Sequence, residues 1–582
     1  MTRGEEGAGH VKERRKSIAY FAVFAMAALL LTVWFSRGMG FAASLAAGEH
    51  GKDVFFAGGV EQYPQAAGYG WGLYVFSLAL LAAGGYFVIR TKAKTETIFA
   101  AIAIPLGIIY LFMMVPMAGP DEQVHYQTSY QMSNALLLRW DKMNTGTAGH
   151  YDYHGLSGHY NPASGYERMV TEFFQPLSRT EEIQIPQYGL SWPIVYLPQA
   201  IGIAIGRMLG LNFLPLFCLG RLMNLLFYVF CVYRAIRIMP RYKLLLCMTA
   251  LLPMCMHQAA SFSYDTYING LSFLLTAMIL KAAWAPEETR AGESLIHGWK
   301  RRKWKGLREA WQTGIGAAGT LSKAETGTIL LVALLWAPAK PVYTPLLLLL
   351  LIIPKERFGG TGKKLLWTGG MIGIVLAEAL AIQLAAVQSV AASGMSAGDG
   401  VNWEGQKNFT LGWIIGHLPE TAKLFLNTIR ANGQSWIYES MGTYLAGLTV
   451  PLRPRYMQIY LILLIGCVLR RTKNATEDRS RASLAEEEFR TGIWPRILFI
   501  GAAVLSAGLV MLTMMLAWTS DTNEIIQGIQ GRYFLPVFLM PFLCLDNRTV
   551  MLHRNPDRVI LATGLCLHML TVIGVVQATM MV

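Results

Sequence analysis

Charge is scarce in this chain: Asp, Glu, Lys and Arg make up only 15% of its 582 residues, against 53% hydrophobic. That balance excludes an ordinary soluble domain and leaves apolar runs separated by short polar pieces, the pattern of a polytopic membrane protein. Cysteine is sparse as well. Cys218, Cys231, Cys247, Cys255, Cys467, Cys544 and Cys566 all fall within or beside apolar segments. They suggest neither a disulfide framework nor a Cys-x-x-Cys metal site, and read as small core residues. A Walker-type phosphate loop, a dinucleotide fingerprint and an internal repeat are all missing, so nothing points to nucleotide binding or an inverted-repeat transporter. The net charge of +14 does not imply nucleic acid, because Lys and Arg cluster in short loops between apolar runs, where they set membrane orientation.

The apolar runs and the basic loops together give a topology. Lys12, Arg14, Arg15 and Lys16 precede an apolar run at 17–34, which reads as a retained anchor rather than a cleaved signal peptide, with this end in the cytoplasm. A span at 71–89 returns to the basic stretch 90–94, and a third at 98–117 delivers Asp121 and Glu122 to the outer face. An outer segment occupies about 118–190. If the apolar stretch at 192–205 crossed, Arg234, Arg237, Arg241 and Lys243 would lie outside, so it is interfacial or re-entrant. Further crossings are expected at 213–232, 244–256 and 268–284, the last ending at the strongly basic 300–305 loop. Short arms at 328–336 and 342–353 flank Ala337-Pro-Ala-Lys-Pro341 and put Lys340 at a broken-helix tip. A crossing at 365–390 leads to a second outer segment, about 391–455, in which 419–431 forms an amphipathic surface helix. Spans at 457–469, 497–518, 533–545 and 559–582 complete an all-α polytopic protein with about thirteen crossings. It divides into an N-terminal basic segment with two extra spans, 1–96, and a membrane domain with outer loop helices, 97–582.

This parity brings Asp121, Glu122, His257, Asp265, Lys340 and Arg532 to one face although they lie far apart in sequence. Ionisable groups abutting a membrane are functional candidates by default. A carboxylate there can take a proton from a hydroxyl, or orient a substrate or metal, while Lys and Arg at the same depth can hold a phosphate. Each has a bland reading: a solvated loop for Asp121 and Glu122, snorkelling or pairing for Lys340, an interfacial anchor with Tyr533 for Arg532. Asp121 and His125 are four apart and would share a helix face, which allows a divalent ion; hydrogen bonding by His125 is the simpler reading. His150, Asp152, His154 and His159 have loose zinc spacing within a Tyr-, Gly- and Asn-rich segment that reads better as a surface loop. Arg221 and Asn224 read as satisfying backbone groups between helices, and Trp336, Trp413, Trp436 and Trp518 as interface anchors rather than a sugar platform.

The motifs Pro120-Asp-Glu-Gln-Val-His125, Gly189-Leu-Ser-Trp-Pro-Ile-Val-Tyr-Leu-Pro198, Gly220-Arg-Leu-Met-Asn224, Ser263-Tyr-Asp265, Ala339-Lys-Pro-Val-Tyr343, Ile352-Ile-Pro354 and Gln530-Gly-Arg-Tyr-Phe-Leu-Pro536 occur in a characteristic order. In that order the chain, from about residue 98 onward, resembles a bacterial family of predicted membrane proteins of unknown function that looks like a branch of the GT-C superfamily of polytopic glycosyltransferases. The resemblance implies inverting transfer of a sugar from a polyprenyl-phosphate donor to a glycan, lipid or protein acceptor, outside the bacterial cytoplasmic membrane. It implies a catalytic carboxylate at Asp121 or Glu122; the substrate-binding candidates beside it are His125, His257, Asp265, Lys340, Tyr343 and Arg532. No cofactor is specified beyond a possible divalent metal at Asp121 and His125. A flippase of lipid-linked glycans and a non-catalytic assembly subunit are the rival readings, because fold alone does not establish chemistry.

Overall fold

The computed structural model describes residues 22–40, 63–151, 161–186, 192–284, 320–392, 407–471, 492–546, 551–552 and 556–581. The expectations placed on Asp152, His154 and His159, on 300–305 and on most of 470–490 lie outside them. Apolar runs become helices because a helix satisfies every backbone group within itself, the only economical solution for a single segment in hydrocarbon.

The chain opens with α1 (Ala22–Gly40), α2 (Pro64–Arg90) and α3 (Thr95–Met113), all long and apolar enough to cross a bilayer. A loop leads from α3 to α4 (Glu122–Leu136), and a ribbon of β1 (Thr145–Thr147) and β2 (Glu182–Gln184), paired antiparallel, brackets α5 (Ala163–Thr171). α6 (Leu197–Met208) then packs along α7 (Phe213–Ile238). Twelve residues give α6 about 18 Å at 1.5 Å each, too short for a hydrocarbon core of about 30 Å. The stretch that charge bias kept from crossing is therefore a helix too short to cross.

α8 (Lys243–Ala250) and α9 (Pro253–Ala259) share one apolar run, interrupted where Pro253 starts a new helix. α10 (Asp265–Trp284) is the central helix: 94% of its apolar window is buried, against 11% for α1. α11 (Lys323–Trp336) begins at a capping box in which Ser322 and Glu325 bond each other's backbone amides. Beyond it a 3-10 turn, Ala337–Ala339, leads to Lys340 and a twelve-residue 3-10 segment, Pro341–Ile352. At about 2 Å per residue this segment reaches roughly 24 Å, so the tighter helix stretches an arm that would be too short as an α-helix.

α12 (Thr361–Ala392), α13 (Leu411–Gly416) and α14 (Leu418–Met441) follow, then a hairpin of β3 (Tyr444–Leu445) and β4 (Val450–Pro451). α15 (Pro454–Val468), α16 (Ile493–Trp518), a 3-10 segment at Gly531–Val537, α17 (Leu539–Leu543) and α18 (Asp557–Met580) complete the fold. α7 packs against α3, α6 and α10; α16 lies on the 3-10 segment 341–352; α18 closes back on α2. α1, α12 and α16 form a sparsely buried rim with exposed Leu29, Leu366, Ile374 and Val504, side chains suited to lipid.

Among the described residues eight helices are long and apolar enough to span. The crossings expected at 244–256, 328–336, 342–353, 457–469 and 533–545 fall on shorter or interrupted helices. Two anchor readings need correction. Trp336 is buried and donates from Nε1 to Ser272 Oγ at 2.8 Å, and Trp436 is buried against Phe534, so both are core residues.

Candidate functional site

Asp121 and Glu122 are neighbours with opposite fates. Asp121 has a left-handed backbone, φ 54°, ψ 18°, and the turn leaves its carboxylate 64% exposed while Glu122 enters α4 almost fully buried. Asp tolerates this conformation better than most residues. Arg221 on α7 grips Glu122 with a two-point fork: Nε donates to Oε1 at 2.9 Å and Nη2 to Oε2 at 2.7 Å. The amides of Phe262 and Gly119 donate to the same carboxylate at 3.0 and 3.1 Å. The remaining Arg221 donors reach the carbonyls of Leu111, Met114 and Val115, groups that the end of α3 leaves without helical partners. Burial alone would raise the Glu122 pKa, but the Arg221 charge and these four hydrogen bonds hold it below the ordinary carboxylate value. Glu122 is therefore an anion clamped for structure. The expectation that Arg221 serves backbone groups between helices matches these bonds, as does Asn224, whose amide donates to the carbonyls of Ser261 and Ser263 and to Thr266 Oγ1.

Asp121, Asp265, Lys340 and Arg532 come together from four places in the chain. Lys340 Nζ donates to Asp265 Oδ1 at 2.6 Å, and Gln258 Nε2 donates to Asp265 Oδ2 at 3.1 Å. Arg532 links the two acids: its Nη2 is 3.5 Å from Asp121 Oδ2 and its Nε 3.9 Å from Asp265 Oδ2. The cations lie on aromatic faces, Lys340 Nζ 5.0 Å from the Tyr264 ring centre and 4.8 Å from that of Tyr533, with the Arg532 guanidinium 5.3 Å from Tyr533. Each group stands where an element starts or breaks: Asp121 immediately precedes α4, Asp265 opens α10, Lys340 sits between the two 3-10 pieces and Arg532 is second in the segment Gly531–Val537. Tyr343 touches the cluster indirectly, donating from its hydroxyl to the Tyr533 carbonyl at 2.8 Å.

His125 is buried, with Nδ1 2.6 Å from the Tyr196 hydroxyl and its ring edge-on to Tyr264. Burial pushes its pKa down to about 4. The hydrogen bond engages Nδ1 alone, and the described residues hold no group of three or more His, Cys, Asp or Glu that could hold an ion. His150 is likewise taken, its Nδ1 by Tyr130 and its Nε2 by the Leu211 carbonyl. His257 on α9 lines a narrow recess with Pro120, Gln258 and Arg532.

Sequence reading missed what holds Arg532 in place. At the end of α14, Glu439 Oε2 accepts from the Gly531 amide at 2.9 Å and Ser440 Oγ donates to the Gly531 carbonyl at 2.7 Å. A Cβ on Gly531 would lie 2.4 Å from Glu439 Cβ and 2.5 Å from the Trp436 carbonyl. Only glycine permits this approach, and the Gly before Arg532 in the 530–536 motif was the available signal.

The fold and the ionic cluster define a class: a polytopic helical membrane protein whose charged residues gather where helices break or begin. Within that class the chain belongs to a family described as predicted membrane protein, DUF2142, whose model matches residues 104–297 and 313–540. All four members of the cluster fall inside the matched stretches, and α1 and α2 outside them. No curated protein and no solved structure matches the chain.

Proposed function

We propose that the protein is an integral-membrane glycosyltransferase that moves a sugar from a polyprenyl-phosphate donor to a hydroxyl of a cell-envelope acceptor on the extracytoplasmic face. The observation that carries this reading is the meeting of the exposed Asp121 carboxylate with Arg532, Lys340 and Asp265 at helix breaks. Such a cluster supplies a proton acceptor and cations side by side, the two needs of phosphate displacement from an anomeric carbon. Asp121 takes the acceptor proton while the acceptor oxygen attacks that carbon on the face opposite the leaving group. The carbon–oxygen bond to phosphate breaks, and the electron pair departs on the polyprenyl phosphate. Arg532, with a planar fork suited to phosphate, and Lys340 offset the charge that develops there. Glu122 performs no proton transfer and anchors the turn that presents Asp121. The family whose motif order the chain shares looks like a branch of the GT-C enzymes, a likeness that implies an acidic base at Asp121 or Glu122.

The test is reconstitution of the full chain in vesicles with a panel of polyprenyl-phosphate hexoses and cell-envelope acceptors. The expected result is a new glycosidic bond and release of polyprenyl phosphate. Movement of the intact lipid between leaflets without a new bond would mark a flippase and overturn the reading.

A further inference from the structure

Buried polar atoms without a hydrogen-bond partner among the described residues recur around the ionic cluster, Asn224 Oδ1, Asn269 Oδ1 and Gln530 Oε1 among them, and two such side chains share one recess. Gln258 donates to Asp265 and accepts from Asn269; Ser261 Oγ donates to the Gln258 carbonyl and accepts from the Ser263 amide; Ser263 Oγ accepts from the Asp265 amide. His257, 3% exposed, has no hydrogen-bond partner at either ring nitrogen among the described residues, and Arg532 Nε has none either. Leaving such groups dry costs on the order of 1–3 kcal/mol each. Both side chains line the same recess, opposite the β3–β4 hairpin. Its volume open to a water's centre is ≈ 10 Å³, about the room of one oxygen atom.

Burial pushes the His257 pKa down to about 4, so at neutral pH the ring offers one donor and one acceptor. The two ring nitrogens point apart, so one oxygen meets only one of them; a hydroxyl can donate to the acceptor nitrogen and accept from Arg532 Nε at once. A phosphate or carboxylate oxygen can accept from Arg532 Nε but has no proton to give that acceptor nitrogen. The nearby cations are moreover already shared with Asp121 and Asp265.

We infer that this recess is a binding subsite for a single hydroxyl of a neutral saccharide, held between His257 and Arg532. Its place in catalysis rests on the transferase reading: Pro120, the residue before Asp121, lines the recess, and Arg532 faces both the recess and the Asp121 carboxylate.

Saturation-transfer NMR on the purified full chain tests the assignment, with methyl glucoside, methyl mannoside, methyl galactoside and methyl phosphate as probes. At least one glycoside binds the wild type. His257→Leu weakens that binding by about tenfold or more, while His257→Gln, which keeps a donor and an acceptor, stays within about threefold. Methyl phosphate binding is the same in all three. Without glycoside, His257→Leu keeps or raises Tm, because it removes two unpartnered buried nitrogens. Failure of every glycoside to bind the wild type, undiminished glycoside binding by His257→Leu, or a lower Tm in that variant, the mark of a fixed water on the imidazole, overturns the subsite. Glycoside binding lost in His257→Leu while the wild type forms no glycosidic bond keeps the subsite and removes the transferase. Transfer by the wild type with undiminished glycoside binding in His257→Leu does the reverse.

Discussion

Asp121 and Glu122 show how two adjacent carboxylates take different work from one turn of backbone. Glu122→Gln or Arg221→Ala leaves a buried charge without its partner, a change that typically costs about 3–5 kcal/mol. Either variant is expected to lower the thermal midpoint in detergent strongly, whereas Asp121→Asn, at an exposed position, leaves it within experimental scatter. A midpoint unchanged by Arg221→Ala would remove the clamp from the account. His125 adds a pH dependence. Its pKa falls from 6.5 to about 4 on folding, so between those values the unfolded chain binds the extra proton and stability falls as pH falls. Between pH 6.5 and 4 the wild-type midpoint should therefore drop more steeply than that of His125→Gln; parallel curves would contradict the buried neutral imidazole. The sequence made the four cluster charges legible because ionisable residues beside apolar runs are rare. It did not separate Asp121 from Glu122, since spacing carries no information about a left-handed turn.

Broken helices, more than long ones, build the site. Lys340 depends on the 3-10 pieces 337–339 and 341–352, and Arg532 on a 3-10 segment pinned by α14. Gly531→Ala is expected to push this segment off Glu439 and Trp436 and cut transfer by an order of magnitude or more. Gly501→Ala on α16, where nothing lies within 4 Å of an added Cβ, is expected to be neutral in transfer and midpoint. Normal transfer by Gly531→Ala would show that Arg532 does not need the clamp. Apolar length and proline positions exposed the arms around Lys340 in the sequence. The 3-10 winding was invisible, because the run Leu346 to Leu351 is leucine on every face and so has no periodic phase.

Over the whole molecule, α10 is the buried centre on which α7 and α11 pack, and chain segments more than four hundred residues apart meet at Asp121 and Arg532. Hydropathy and basic loops made the polytopic helical class readable; the meeting of the four charges required tertiary packing that no local pattern encodes. The most direct measurement of the central claim is single-turnover transfer by Asp121→Asn, with a defined polyprenyl-phosphate donor and acceptor, beside the wild type in the same vesicles. The amide keeps the shape and cannot take a proton, so the rate should fall by roughly a hundredfold to ten-thousandfold with folding and donor binding unchanged. Wild-type transfer by Asp121→Asn would contradict the account.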